Sequence, residues 1–303
     1  MSVPSVPPAE PAPGPTVTPG SAPAPAPASA TAAGRPAPPV LVGFDGSPRS
    51  LAAARWAARE ALTAGAPLRL LHVGQAWPTV QPISPEFQPV LGASERAARD
   101  VLSAIAEELR AAHEGLTVEA ATAEGGPGNE IPREAARSHA GLIVLGASGV
   151  ERHVVARLGS TALHVAGRAE VPVVLVREPA PHGPGVVVGV DLAGDYTAVL
   201  DFAYAWAARH GLALRAVHAA PAGEAAPEPL EAAVAAAGAR HPRVATTCVT
   251  RSGDPAKLLL EEAGGADLLV VGRRRHRPLH GMGPTDHAVA HHAHSPVALI
   301  PHG

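Results

Sequence analysis

The chain has 303 residues, enough for two ordinary domains, and is 46% apolar but only 3% aromatic, so any core must be built from Val, Leu, Ile and Ala. Its formal charge of −3 gives no bulk attraction for nucleic acid or an anionic membrane. One cysteine, Cys248, excludes an internal disulfide, and the longest apolar runs are strand-sized, far short of the roughly 20 residues of a membrane span.

Residues 1–39 are almost entirely Pro, Ala, Ser, Thr and Gly. Proline fixes φ and removes a backbone donor, so helix and sheet are both blocked and a disordered tail with polyproline II character is expected. It does not read as a secretory signal, because no basic residue precedes Arg35 and prolines interrupt any apolar stretch. A solvated extension is favoured over a PxxP docking segment. Such a composition cannot bury enough apolar surface to offset ordering entropy. Deletion of residues 2–38 is therefore expected to leave the melting temperature unchanged in a thermal unfolding comparison. A large drop would mean that the tail docks on a domain.

From residue 40 the chain repeats one pattern twice, with domains expected at 40–178 and 185–303. The first copy opens with Val40-Leu41-Val42-Gly43-Phe44-Asp45-Gly46-Ser47, an apolar strand leading to an aspartate. An Ala-rich helix carrying Trp56-Ala57-Ala58-Arg59 follows, then a strand with a late histidine, Leu68 to Val73. A second helix is predicted over roughly 93–113, a third strand at about 116–123, a third helix from near Gly128 and a fourth strand at Leu142–Leu145. A last helix and the strand Pro172–Val176 close the copy. The segment Glu178–Pro184, rich in Pro and Gly, reads as a linker.

The second copy opens with Val186-Val187-Val188-Gly189-Val190-Asp191-Leu192-Ala193 and repeats Trp-Ala-Ala-Arg at 206–209. Its second strand, Leu212–His218, again carries a late histidine. A helix at roughly 228–239, a strand at 243–250, a helix from Asp254, a strand at Leu268–Val271, a histidine-bearing helix and the strand Pro296–Ile300 complete it. Short apolar strands separated by helices argue for βαβ units and a parallel sheet covered on both faces. Cys248 falls on a predicted strand as a buried, inert thiol, and His72 and His218 are expected to pack at the ends of matching strands.

The most pointed motif is Gly146-Ala147-Ser148-Gly149, then nine residues, then Gly159-Ser160-Thr161. It lies between an apolar strand and a helix, where glycine allows close backbone approach and a helix start offers unpaired N–H groups to an anion. Ligands of open parallel sheets sit beyond the carboxyl ends of the strands, where strand order reverses. If the first and fourth strands are neighbours, Asp45 and Gly146 face one crevice. Asp45 then reads as a ribose or base ligand, the alternative being an N-cap or turn residue before Ser47-Pro48. The backbone near Val73 would flank the base.

The Gly146-x-x-Gly149-(nine)-Gly159-Ser160 spacing, the Val-Gly-Phe-Asp-Gly-Ser opening and the Pro-Val-Val-Leu-Val ending resemble the universal stress protein family, in tandem, over about 40–178 and 185–301. The resemblance implies an α/β fold of the adenine nucleotide α-hydrolase-like type: two five-stranded parallel sandwich domains of strand order 3-2-1-4-5, paired through their last strands. In a tandem chain that pair forms internally, and further homo-oligomerisation remains open. The resemblance also implies ATP, with or without Mg²⁺, as the bound cofactor. Gly146, Gly149, Gly159, Ser160 and Thr161 would hold its phosphates, Asp45 the ribose and base, and the Val73 backbone the adenine. A regulatory or stress-response role in the cytoplasm is implied, rather than that of an enzyme, although slow ATP hydrolysis is compatible with it. No membrane or nucleic-acid partner is expected.

Two readings compete. One is an interaction module without nucleotide, in which the glycines only shape a turn. The other is an adenylating enzyme of the same wider fold. Against the latter, the loop after the first strand reads Asp45-Gly46-Ser47-Pro48 where such enzymes carry Ser-Gly-Gly-x-Asp-Ser. The chain also has no Gly-x-x-x-x-Gly-Lys-Ser/Thr loop and no catalytic triad.

The second copy departs from the motif. Gly272 keeps the first glycine, Arg275 replaces the second, and Gly283 matches the third after only seven residues, with Pro284 in place of the serine. One intact and one degenerate site are expected. Arg273–Arg277 reads as a solvated, mobile loop in preference to an anion site or a nucleic-acid contact. His287 and His291, four apart on a helix, could share a metal only with a third ligand supplied by the fold, and no metal site is assigned.

Overall fold

The computed structural model describes residues 37–74, 88–147, 158–177, 183, 185–221, 223, 226–274 and 282–303, with 88–95 described by backbone alone. Residues 1–36 of the predicted tail, most of the predicted linker, and residues 75–87, 148–157 and 275–281 lie outside the described residues. The first half runs β1 (Val40–Gly43), α1 (Pro48–Ala64), β2 (Leu68–Gly74), α2 (Gln88–Ala112), β3 (Val118–Glu124), α3 (Pro127–Arg137), β4 (Leu142–Gly146), α4 (Ser160–Arg168) and β5 (Val173–Val176). The second runs β6 (Val186–Gly189), α5 (Thr197–His210), β7 (Leu214–Ala220), α6 (Glu228–Gly238), β8 (Thr246–Ser252), α7 (Pro255–Glu262), β9 (Leu268–Arg274), α8 (Pro284–His292) and β10 (Val297–His302).

The strands form one sheet of order β3-β2-β1-β4-β5-β10-β9-β6-β7-β8. Each half is thus a parallel 3-2-1-4-5 sheet, as expected. Because strand side chains alternate between faces, both faces of the central strands must be apolar. Val40, Val42, Leu68, Leu70 and Val144 pack with α1, α2, α5 and α6 on one face, and Leu41, Leu71, Ile143, Leu145 and Leu175 with α3, α4, α7 and α8 on the other. Each cluster runs through both halves without a break. α1 lies close to the sheet because its inner face is alanine: Ala53, Ala54, Ala57, Ala58 and Ala61 are fully buried. Ser47 caps its start by accepting the Ser50 N–H, and Gly65 ends it at φ +62, a left-handed turn that glycine adopts without penalty. The outer strands β3 and β8 carry more exposed residues than the central strands, which suits sheet edges.

The halves meet where β5 pairs antiparallel with β10, and Val174 stands opposite Ala298, its own counterpart in the repeat. A position facing its own equivalent is the mark of a twofold interface. The same relation holds between α1 and α5, where Glu60 and His210 occupy equivalent places after Trp-Ala-Ala-Arg. Glu60 is only 3% exposed. It accepts Trp206 Nε1–H at 3.1 Å, lies 2.7 Å from His210 Nε2 and accepts a further bond from the Arg209 guanidinium. Arg177, just past β5, is buried and donates to the Ala290 carbonyl at the end of α8. Burial pushes its guanidinium down to about 10, still charged at neutral pH.

Two expectations need correction. β9 continues past Val271 to Arg274, because β10 is long enough to pair with it through His302↔Arg274. Arg273 and Arg274 are therefore strand residues, not members of a solvated loop. Arg273 is 3% exposed and donates to the carbonyls of Gly167 and Ala169 at the end of α4, where a cation meets the negative end of a helix. Arg275–Arg277 lie outside the described residues. Cys248, in β8, is half-buried rather than buried, since β8 is an outer strand. Burial, reinforced by Glu231, still pushes its thiol upward, away from the reactive thiolate.

Candidate functional site

In the first half β1 and β4 are parallel neighbours with Val42 opposite Val144, and strand order turns back between them. Their carboxyl ends therefore open on the switch-point crevice of an α/β sheet. Asp45 stands there, exposed. Its Oδ1 accepts the Ser47 N–H at 2.9 Å, and its own N–H donates to Ser50 Oγ at 3.3 Å. Asp45 thus makes the turn before α1, while Ser47 provides the cap. Partial burial raises the Asp45 pKa, but hydrogen bonds from Ser47 and Ser50 outweigh it and hold the carboxyl below its ordinary value. The group is an anion at neutral pH.

Val73 lies near the end of β2, half-buried, beside β1. Gly146 is the last residue of β4. A Cβ on it would sit 2.5 Å from the Arg49 carbonyl oxygen, so only glycine lets the strand end touch the first turn of α1. This close approach brings the Asp45 turn and the fourth strand to one place. Gly159 precedes α4 with extended backbone (φ −62, ψ 149) and no side-chain cap, and no described atom lies within 4 Å of where its Cβ would be. Ser160 is exposed and Thr161 half-buried in the first turn of α4, where N–H groups lack intrahelical acceptors. Gly149 lies outside the described residues. The Leu158 N–H donates to His291 Nδ1 at 3.3 Å, so the second half touches the base of this loop. That contact engages one of the histidines weighed as metal ligands. Among the described residues no group of three or more side chains could hold a metal ion.

The corresponding crevice of the second half is a cavity of about 290 Å³. Asp191 repeats the turn of Asp45, its Oδ1 accepting the Ala193 N–H at 3.1 Å. His218 Nδ1 lies 2.9 Å from the Val190 carbonyl, as His72 Nδ1 does from Phe44. The other end differs. Arg274 pairs with Asp191 Oδ2 at 3.0 Å. Pro284 opens α8, and the Asp286 carboxylate turns back to accept the Gly283 N–H at 2.9 Å. His302, at the end of β10, lines the cavity and is 8% exposed. Burial lowers its pKa, and Arg274 adds to this against the opposing pull of Asp195, Asp286 and Asp191. Asp195, Arg274, Asp286 and His302 carry no motif-level signal; only the fold brings them together.

A model of the universal stress protein family matches residues 37–177 and again residues 185–301. The chain belongs to the universal stress protein family. It is similar to universal stress protein Rv2624c of Mycobacterium tuberculosis (strain ATCC 25618 / H37Rv), 31% identical over 274 residues that cover 86% of this chain and 95% of the relative. A universal stress protein of Mycolicibacterium smegmatis (strain ATCC 700084 / mc(2)155) is 32% identical over 292 residues, covering 86% and 96%. Among solved structures, a universal stress protein from Archaeoglobus fulgidus DSM 4304 superposes with a TM-score of 0.73 at 21% identity, covering 88% of this chain and 98% of the other. That likeness speaks to the fold alone. As a tandem universal stress protein, the chain pairs its two family domains through β5 and β10, and no described helix is long and apolar enough to cross a membrane.

Proposed function

We propose that the first half of this universal stress protein binds ATP, with or without Mg²⁺, and that the protein has a regulatory, stress-responsive role in the cytoplasm rather than that of a dedicated catalyst. The observation that carries the reading is the meeting, at one switch point, of the Asp45 turn with the Gly146 strand end, beside the uncapped start of α4. Asp45 offers acceptors to ribose hydroxyls, and the Val73 backbone flanks the base. Gly146, Gly149, Gly159, Ser160 and Thr161 supply close backbone approach, helix N–H groups and hydroxyls to the phosphates. The family to which the chain belongs and the names of its relatives support the stress role.

Mass analysis of the protein as purified, for bound nucleotide, is the first test. Equilibrium titration is then expected to give one ATP per chain; two equivalent sites, or none, would count against the reading. Gly149→Arg should weaken ATP binding at least about a hundredfold, a loss of about 3 kcal/mol, because the side chain fills the phosphate space. Normal binding by that variant would show that the loop is not the phosphate cradle.

A further inference from the structure

Helix α4 opens at the candidate phosphate site, yet both of its ends are held from the second half. Just before it, the Leu158 N–H donates to His291 Nδ1 of α8 at 3.3 Å. Leu158 is buried in the apolar cluster that includes Val289 and Ala290 of the same helix. At the far end of α4, Arg273 of β9 donates to the Gly167 carbonyl at 3.0 Å and to that of Ala169. This far-end support is mutual, since Arg177 of the first half reaches the Ala290 carbonyl in α8. The near-end support runs one way. With Gly159 matched to Gly283 in the repeat, Leu158 matches Met282 and His291 matches Gly167, which has no side chain to return the bond. The half whose glycine motif is degenerate thus braces the half whose motif is intact.

Resting on the ATP reading of the first crevice, we propose that His291 is a positioning residue for that site, through which the second half sets the start of α4 for phosphate. α4 has no side-chain cap, and Gly159 must stay extended (φ −62, ψ 149) for the first N–H groups of the helix to point out of its end. Glycine leaves such a conformation easily, and ordering it at the moment of binding costs affinity. By holding the Leu158 peptide, His291 removes that freedom in advance. His291 is itself held in place. His287, one turn earlier in α8, lies against it with ring centroids 4.3 Å apart, and Arg177 fixes the carbonyl of the neighbouring Ala290. The two histidines four apart therefore have a use that needs no metal, and the second half has a task at the first site.

The test is calorimetric titration of ATP into the full-length protein and two variants. His291→Phe keeps a ring of similar size and loses Nδ1, and should weaken ATP binding about tenfold, the worth of one hydrogen bond. His291→Asn places an amide oxygen near the Nδ1 position and should bring affinity back to within about threefold of wild type. A wild-type protein that binds no ATP would sink the reading of the first crevice, and this proposal with it. If wild type binds ATP and His291→Phe binds it equally well, or His291→Asn is as weak as His291→Phe, this proposal alone fails. Because His291→Phe can fail to fold, NMR of the wild-type protein, isotope-labelled on its histidine nitrogens, gives a second readout. The His291 ring resonances, identified by their loss in His291→Asn, should shift when ATP is added. Resonances that saturating ATP leaves unmoved overturn the proposal.

Discussion

Leu299→Pro should collapse the junction between the halves. Leu299 is fully buried in β10, which pairs with Val173 of β5 on one side and Val271 of β9 on the other. Proline removes a ladder donor, leaving a buried acceptor unsatisfied at a cost of about 1–3 kcal/mol, and brings a ring into the middle of a sheet, where proline is essentially not found. Loss of the leucine side chain from a packed core adds about 2–5 kcal/mol. Together these are comparable with the roughly 5–15 kcal/mol total stability of an ordinary domain. Urea unfolding followed by circular dichroism should show a large drop in midpoint, or no folded baseline, while Leu299→Ile should stay within about 1.5 kcal/mol of wild type. Leu175→Pro, across the junction, should behave similarly. A Leu299→Pro protein with an unchanged midpoint would mean that β10 is not a central strand.

The second large effect is expected at Glu60. Glu60→Leu strips Trp206 Nε1, His210 and Arg209 of a shared acceptor in a site where the carboxylate is almost wholly buried. Breaking a buried charged pair by removing one partner costs about 3–5 kcal/mol. The lower figure applies here, since the Arg209 side chain is 37% exposed and can turn to water. Glu60→Gln keeps an acceptor and should cost about 1 kcal/mol. Equal stability of Glu60→Leu and wild type in denaturant unfolding would show that the network holds nothing together. The site also bears on how the halves choose each other. Two first halves meeting by this symmetry would oppose Glu60 to Glu60, and two second halves His210 to His210. Only the mixed pair sets an acid against a base.

Much of the fold was legible in the chain because it is periodic. Runs such as Val40–Val42 and Leu142–Leu145, separated by alanine-rich helices, can hardly be anything but strands buried on both faces. The doubled Trp-Ala-Ala-Arg implied two halves, and the resemblance to the universal stress protein family implied that they meet through their last strands, as β5 and β10 do. The candidate crevice was legible only in part. Asp45 and Gly146 were visible as residues past strand ends, but local sequence does not say that Ser47, not Asp45, caps α1, or that Gly146 is pressed against the Arg49 carbonyl.

The arginines show the limit most clearly. Arg273 reads as part of a charged surface loop because charge is ordinarily solvated. In the fold it is buried, since β10 extends β9 by pairing through His302 and the carboxyl end of α4 supplies carbonyls to its guanidinium. Local pattern by itself determined the elements, their order, the repeat and the place of the glycine motif between β4 and α4, because those follow from alternation, capping and glycine spacing within a few residues. Which residues share a site was decided by the tertiary structure. Glu60 with His210, Arg274 with Asp191 and His302 with its cavity join positions far apart in the chain, and such meetings are set by strand order and the twofold relation of the halves.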